Sequence, residues 1–236
     1  MNQKAVNEPV RSYEPGSNDR KSLQNKYDKM ANEVIEIPLI IGGKEVRTKD
    51  QEQCVMPHDH QHVLGNFHMA SEDEVQLAID SSMSAWKTWS KVGLDKRTKI
   101  FRKAAELLQG PWRDTINAAT MLNQSKNAFQ AEIDAACELI DFFNFNCQYA
   151  EDIYSNQPLI SPEGVKNSLE YRPLEGFVFA ITPFNFTSIA ANLPCAPALM
   201  GNVALWKPAS SAVLPCYFIM KMLEEAGLPD GVINFI

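Results

Sequence analysis

The sequence predicts an α/β protein, helical through its middle and ending as the first half of a doubly wound parallel sheet. Two observations carry this. FVFAI (177–181) and NVALWK (202–207) are short apolar runs without polar alternation, as in strands buried on both faces of a parallel sheet, and GVINFI (231–236) reads as a third strand. Stretches of helical length separate them, and strand–helix–strand–helix–strand is the order of a doubly wound unit.

From the N-terminus, residues 1–33 are polar and mixed in charge, with Pro9, Pro15 and Gly16, and are expected to form an extended arm. IEIPLIIGGKEV (35–46) predicts two short strands around a Gly42-Gly43 turn. Residues 53–69 look irregular and His-rich. Ser71, with Glu74 three residues on, is a capping box that opens a helix with Val75, Ile79, Met83 and Trp86 on one face. A second helix is expected over 96–109, with Ile100, Ala104, Leu107 and Leu108 as its stripe. Gly110-Pro111 breaks it, and Pro111 suits the first turn of a third helix reaching Asn123. The longest helix is expected over 128–151, with Phe129, Ile133, Ala136, Ile140 and Phe143 at helical spacing. Pro158, Pro162 and Gly164 mark a loop before an expected strand at 168–172. A helix over 215–226, ended by Gly227, precedes the last strand. A sheet of three parallel strands is expected to leave an unpaired edge and an uncovered apolar face, so the chain looks like part of a longer protein.

The 236 residues carry 45% hydrophobic and 22% charged side chains, the balance of a globular protein with a substantial core. A net charge of −7 argues against nucleic acid or an anionic membrane as partner. No apolar run approaches the roughly 20 residues that span a bilayer. The N-terminus shows neither an apolar signal core nor an Arg-rich, acid-poor leader. Five cysteines without a CxxC pair fit reduced thiols better than a disulfide framework or a zinc site.

The residues that can carry chemistry sit near the ends of the parallel strands, where α/β folds bind ligands. Asn185, in Thr182-Pro183-Phe184-Asn185-Phe186, can donate its side-chain N–H to an oxygen that turns negative during reaction, or can cap the helix that follows. Lys207, closing the second strand before Pro208, can hold the ribose or phosphate of a nucleotide, or be an ordinary solvated strand end. Ser210 stands where an acid would discriminate against a 2′-phosphate. Neither GxGxxG nor GxxxxGK[ST] occurs. His58, His60 and His62 alternate but lack a fitting acid or Cys partner for a metal, so no metal is expected. Glu138, beside the apolar stripe of the long helix, is expected to be a helix surface charge. Cys195 lies mid-helix and is expected to be structural, and no cysteine has the surroundings of an activated nucleophile.

Three segments together resemble the aldehyde dehydrogenase superfamily: GFVFAITPFNF, PALMGNVALWKPAS and EEAGLPDGVINFI, in order over about 60 residues. TPFNFT, the WKPAS ending, the helix QAEIDAACELIDFFNFN and the arm beginning VNEP resemble most closely its delta-1-pyrroline-5-carboxylate dehydrogenase branch, over essentially the whole chain. The resemblance implies a truncated aldehyde dehydrogenase fold with a Rossmann-like sheet. Residues 1–33 would be the arm and 34–236 the N-terminal part of the NAD-binding domain. That part would hold helices at 71–151, a connecting and oligomerisation hairpin at 158–174, and three parallel strands at 176–236, without a catalytic domain. It implies NAD as cofactor, held by Lys207 at the adenosine ribose and by the backbone of Thr182 and Phe184. Ser210, where many strictly NAD-using relatives have Glu, would tolerate NADP. Asn185 would be the oxyanion-hole amide, Phe186 would line the aldehyde's aromatic box, and Glu138 would lie by the substrate tunnel. The implied reaction is oxidation of L-glutamate γ-semialdehyde to glutamate in proline catabolism. The implied assembly is a homodimer in the mitochondrial matrix, the cytoplasm being the alternative. The family's nucleophilic Cys and its catalytic Glu motifs lie C-terminal to the matched region, so this chain alone is expected to be inactive. An aldehyde dehydrogenase of another substrate class, or a non-catalytic chain binding nucleotide or a partner subunit, are the competing expectations.

Overall fold

A computed structural model describes residues 4–236. The arm is not extended throughout: residues Asn18–Ala31 form helix α1, capped by the Ser17 hydroxyl, which accepts from the Arg20 amide. Leu23, Tyr27 and Met30 make its apolar stripe and pack with Tyr13 and Ala118. That stripe is hidden in the sequence among Lys, Asp and Asn.

Residues 35–46 form three strands, not two: β1 (Ile35–Ile37), β2 (Leu39–Ile41) and β3 (Lys44–Val46). The Gly42-Gly43 turn joins β2 to β3, both glycines at positive φ. A Cβ on Gly43 would stand 2.2 Å from the exposed Asp230 carboxylate, which can swing aside, so the positive φ is what calls for glycine in this turn. The stretch expected to be irregular is a hairpin, β4 (Gln51–Met56) with β5 (Asp59–His68). It is buried at Cys54, Met56, Leu64, Phe67 and His68, while residues 51–53 and 57–61 are exposed. Exposed polar stretches on both strands interrupt the alternation that marks a strand. β1 pairs parallel to β5, where the Ile35 carbonyl comes so close that a Cβ on Gly65 would lie 2.6 Å from it.

The helices follow: α2 (Glu72–Trp89), α3 (Leu94–Gln109) and α4 (Arg113–Gln124). The Ser71–Glu74 capping box forms as expected. Pro111 falls in the turn before α4, not in its first turn. The longest helix runs as α5 (Ala128–Ala131), a wide π-helical segment (Glu132–Glu138) and α6 (Leu139–Ser155). Residues 156–177 contain no strand, neither the one expected at 168–172 nor a hairpin. Leu159 and Ile160 stand at 100% and 82% exposure, with no neighbouring strand among the described residues to pair with. A strand needs a ladder partner, and this segment has none.

β6 (Val178–Ile181), α7 (Thr187–Leu199), β7 (Ala204–Lys207), α8 (Val213–Glu225) and β8 (Ile233–Phe235) complete the doubly wound unit. The three strands are parallel, and the five-stranded sheet runs β3-β2-β8-β7-β6. β2 covers one side of β8, antiparallel, with Ile40 opposite Phe235, so the unpaired edge expected of the three parallel strands falls on β6. Helices pack both faces: Leu205 meets Ala78 of α2, while Trp206 lies in the core with α7 and α8. Trp206 meets Phe235 edge to face at 5.5 Å. β6 is the outer strand, and Phe179 and Ile181 on it are exposed.

Candidate functional site

The site is built where β6 ends and α7 begins. Thr182 is fixed from two directions. Its amide donates to the Lys207 carbonyl at 3.1 Å, and its hydroxyl accepts from the buried Trp206 indole N–H at 3.1 Å. The chain then turns through Pro183 and presents Phe184, Asn185 and Phe186 at the surface. No hydrogen bond to the Asn185 side chain is found among the described residues, so its amide is open to whatever enters.

The helix-cap reading of Asn185 is wrong. The N-cap position of α7 is Phe186, whose ring carries no oxygen to accept from the first-turn amides. The amides of Thr187 and Ser188 donate instead to the Asp134 carboxylate, at 3.1 and 3.2 Å. Asp134 lies 53 residues away on the π-helical segment and caps α7 from outside, with its charge at the positive end of the helix. The Ser188 hydroxyl stands 2.9 Å from Asp134 and 2.8 Å from Glu138. Glu138 is therefore half-buried behind α7 rather than a free surface charge. Lys126 completes the cluster: its ammonium bonds Asp134 at 2.5 Å and the Asn185 carbonyl at 2.6 Å, and lies 4.7 Å from the Phe186 ring centroid.

Asn185, Phe186 and Glu138 are thus gathered around one helix start, with Thr182 and Phe184 beside them. Lys207 and Ser210 sit at the next strand, lining a pocket of about 200 Å³ with Phe179, Pro208, Val213 and Ile236. An apolar slot with an exposed ammonium and a hydroxyl at its rim suits a flat ring attached to a hydroxylated sugar. Sequence reasoning missed Lys126, Asp134 and Ser188. The available signal was Asp134, an acid set between Ile133 and Ala135-Ala136 in an apolar helix.

All five cysteines are buried. Burial pushes the thiols of Cys54, Cys137 and Cys147 up to about 12, and those of Cys195 and Cys216 higher still. Burial thus disfavours the thiolate form at each of them. His58 faces the Ser125 hydroxyl at 2.7 Å and His62 the Ala31 carbonyl at 2.6 Å. Among the described residues no three His, Cys, Asp or Glu gather as a metal site would require, and no helix is long and apolar enough to cross a membrane.

A sequence model of the aldehyde dehydrogenase family matches residues 45–236. The chain belongs to the aldehyde dehydrogenase family. Among its relatives, the mitochondrial delta-1-pyrroline-5-carboxylate dehydrogenase of Dictyostelium discoideum is 49% identical over 231 residues, 98% of this chain and 41% of that protein. The corresponding human mitochondrial protein is 46% identical over 233 residues, again 41% of its length. Within the family, the solved delta-pyrroline-5-carboxylate dehydrogenase of Mycobacterium tuberculosis bound with NAD superposes with a TM-score of 0.97. It shares 48% identity, covering 99% of this chain and 44% of that one. The Thermus thermophilus 1-pyrroline-5-carboxylate dehydrogenase superposes at 0.91 with 28% identity, over 46% of its chain. This family member spans about two fifths of the length of the curated relatives it matches.

Proposed function

We propose that this chain is the N-terminal part of an NAD-dependent dehydrogenase that oxidises L-glutamate γ-semialdehyde to glutamate in proline catabolism. The observation that carries the reading is Asn185, an unpartnered amide just past the carboxyl end of the outer parallel strand β6. In this reading its N–H donates to the aldehyde oxygen as that oxygen becomes negative. Phe186 lines the approach of the aldehyde chain, and Glu138 faces the substrate passage. Lys207 binds the hydroxyls of the adenosine ribose, with Thr182 and Phe184 meeting the cofactor through their backbone. NAD, when bound, supplies the hydride acceptor. Ser210 leaves room beside Lys207 for a 2′-phosphate, so NADP is tolerated. Support for this substrate class comes from relatives named for it at nearly half identity over the whole chain.

In this reading the nucleophile comes from outside residues 1–236, which the burial of all five thiols supports. Residues 158–174 are read as the element that docks on a second copy in a homodimer. The location proposed is the mitochondrial matrix, supported by the names of the Dictyostelium and human relatives. The test is NADH formation from pyrroline-5-carboxylate by residues 1–236 alone, by the full-length enzyme, and by its Asn185→Ala variant. The expected result is no turnover by the chain alone and a kcat lowered about a hundred- to a thousandfold by Asn185→Ala. Turnover by the isolated chain, or an unchanged kcat in the variant, would overturn the reading.

A further inference from the structure

Building on Asn185 as the oxyanion donor, we propose that Lys126 and Asp134 are positioning residues that clamp the backbone on both sides of that amide. An oxyanion donor works because it is already aimed before charge develops. Asn185 has no side-chain partner to aim it, and its loop is exposed. Its aim must therefore come from its backbone.

Two grips supply it. On the Asn185 residue itself, the Lys126 ammonium holds the main-chain carbonyl at 2.6 Å and covers the ring of the next residue, Phe186. Immediately after, Asp134 holds the amides of Thr187 and Ser188. The two grips are joined by the Lys126–Asp134 ion pair, whose side chains are 16% and 4% exposed. Asp134 accepts from Lys126 and from two backbone amides, and the Ser188 hydroxyl, shared with Glu138, also lies within reach. A carboxylate has about four lone-pair sites, and these neighbours surround those of Asp134. Its work is to hold. Lys126 likewise directs its donors at Asp134 and the Asn185 carbonyl, not at open space.

The wide π-helical segment makes this possible. It carries Glu132 and Asp134 two residues apart, one reaching the arm and the other reaching α7. A lone capping role for Asp134 would give α7 stability without touching rate. The clamp predicts a rate effect transmitted through Asn185.

The experiment measures kcat, NAD affinity and thermal midpoint for the full-length enzyme proposed above. The variants are Lys126→Met, Lys126→Arg, Asp134→Asn, Asn185→Ala and the Lys126→Met/Asn185→Ala pair. Lys126→Met and Asp134→Asn are expected to lower kcat about ten- to a hundredfold, the range set by small misplacements of a reacting group. NAD affinity should stay within about twofold, and Lys126→Arg should recover most of the rate. In the Asn185→Ala background Lys126→Met should cost less than about twofold more, since the group it positions is gone. A kcat in Lys126→Met within about twofold of the parent overturns the clamp while leaving Asn185 in place, as does full multiplication in the double variant. An unchanged kcat in Asn185→Ala instead sinks the oxyanion reading itself. If Asp134→Asn does not fold, Lys126→Met, which keeps every backbone bond of α7, decides alone.

Discussion

Glu132 and Asp134 stand two residues apart on one π-helical segment, both buried and both paired with a cation, yet they hold different parts of the molecule. Glu132 faces inward. It accepts from Arg113, from the Tyr13 hydroxyl at 2.7 Å, from Asn117 at 2.8 Å and from the Arg11 amide at 2.8 Å. Arg113, itself buried, also bonds Glu8 and the Pro9 carbonyl, so the pair anchors the arm to the helical layer. Asp134 faces the mouth of the site and grips a loop whose other residues are exposed. Burial works to raise the Glu132 carboxyl, but the bonds from Arg113, the Arg11 amide and Tyr13 outweigh it and the net shift is downward. The difference teaches that similar chemistry can serve folding in one direction and positioning in the other. Breaking each should give a different signature.

The largest effect is expected at the inward pair. Arg113→Met leaves Glu132 charged and buried, and should cost about 3–5 kcal/mol, read as a lower denaturant midpoint. Asp134→Asn, by contrast, should cost only about 1–2 kcal/mol, the range of a lost helix cap, while showing the rate loss argued above. Equal stability losses for the two would erase the distinction. The same comparison has a pH arm. Because the folded carboxyl of Glu132 lies below its unfolded value, the folded state binds fewer protons. Its contribution is therefore complete above the ordinary carboxyl range and is lost as pH falls through that range and below it. Urea midpoints at neutral and acid pH should show this loss, and Arg113→Met should flatten it. Tyr13→Phe comes next, removing a buried hydrogen bond to a charged acceptor at a cost of about 1.5–3 kcal/mol. Trypsin cleavage in the arm should become faster in that variant if Tyr13 is the anchor.

What the sequence disclosed follows the range of the interactions involved. Strands β7 and β8 were legible because burial on both faces removes polar residues from the strand itself. Strand β6 kept the same apolar run although Phe179 and Ile181 are exposed, so the burial expected for it was wrong. The Ser71–Glu74 cap was legible because both partners lie within one turn. Asn185 and Lys207 were legible because strand ends in a parallel sheet have a chemical meaning of their own. The β4–β5 hairpin was not, since exposed polar residues at 51–53 and 57–61 interrupt its alternation. Nor was helix α1, whose stripe of Leu23, Tyr27 and Met30 gains meaning only once α4 is beside it. Lys126 and Asp134 were the least legible. They act on residues 59 and 53 positions away, and only the fold brings them together.

The smallest expected effect separates Asp134 from Glu138. The Ser188 hydroxyl lies between them, and it has one proton to give to either carboxylate. Ser188→Ala removes that bridge but keeps the Ser188 amide on Asp134, so the cap on α7 survives. Stability should fall by about 1 kcal/mol, the ordinary net worth of a hydrogen bond. In the proposed enzyme, Glu138 would lose its tether beside the substrate passage while Asn185 stayed clamped. The expected signature is a raised KM for the semialdehyde with kcat held, the reverse of the Lys126→Met pattern. If Ser188→Ala instead lowers kcat as far as Asp134→Asn does, Glu138 and Asp134 act as one unit and the clamp extends to Glu138.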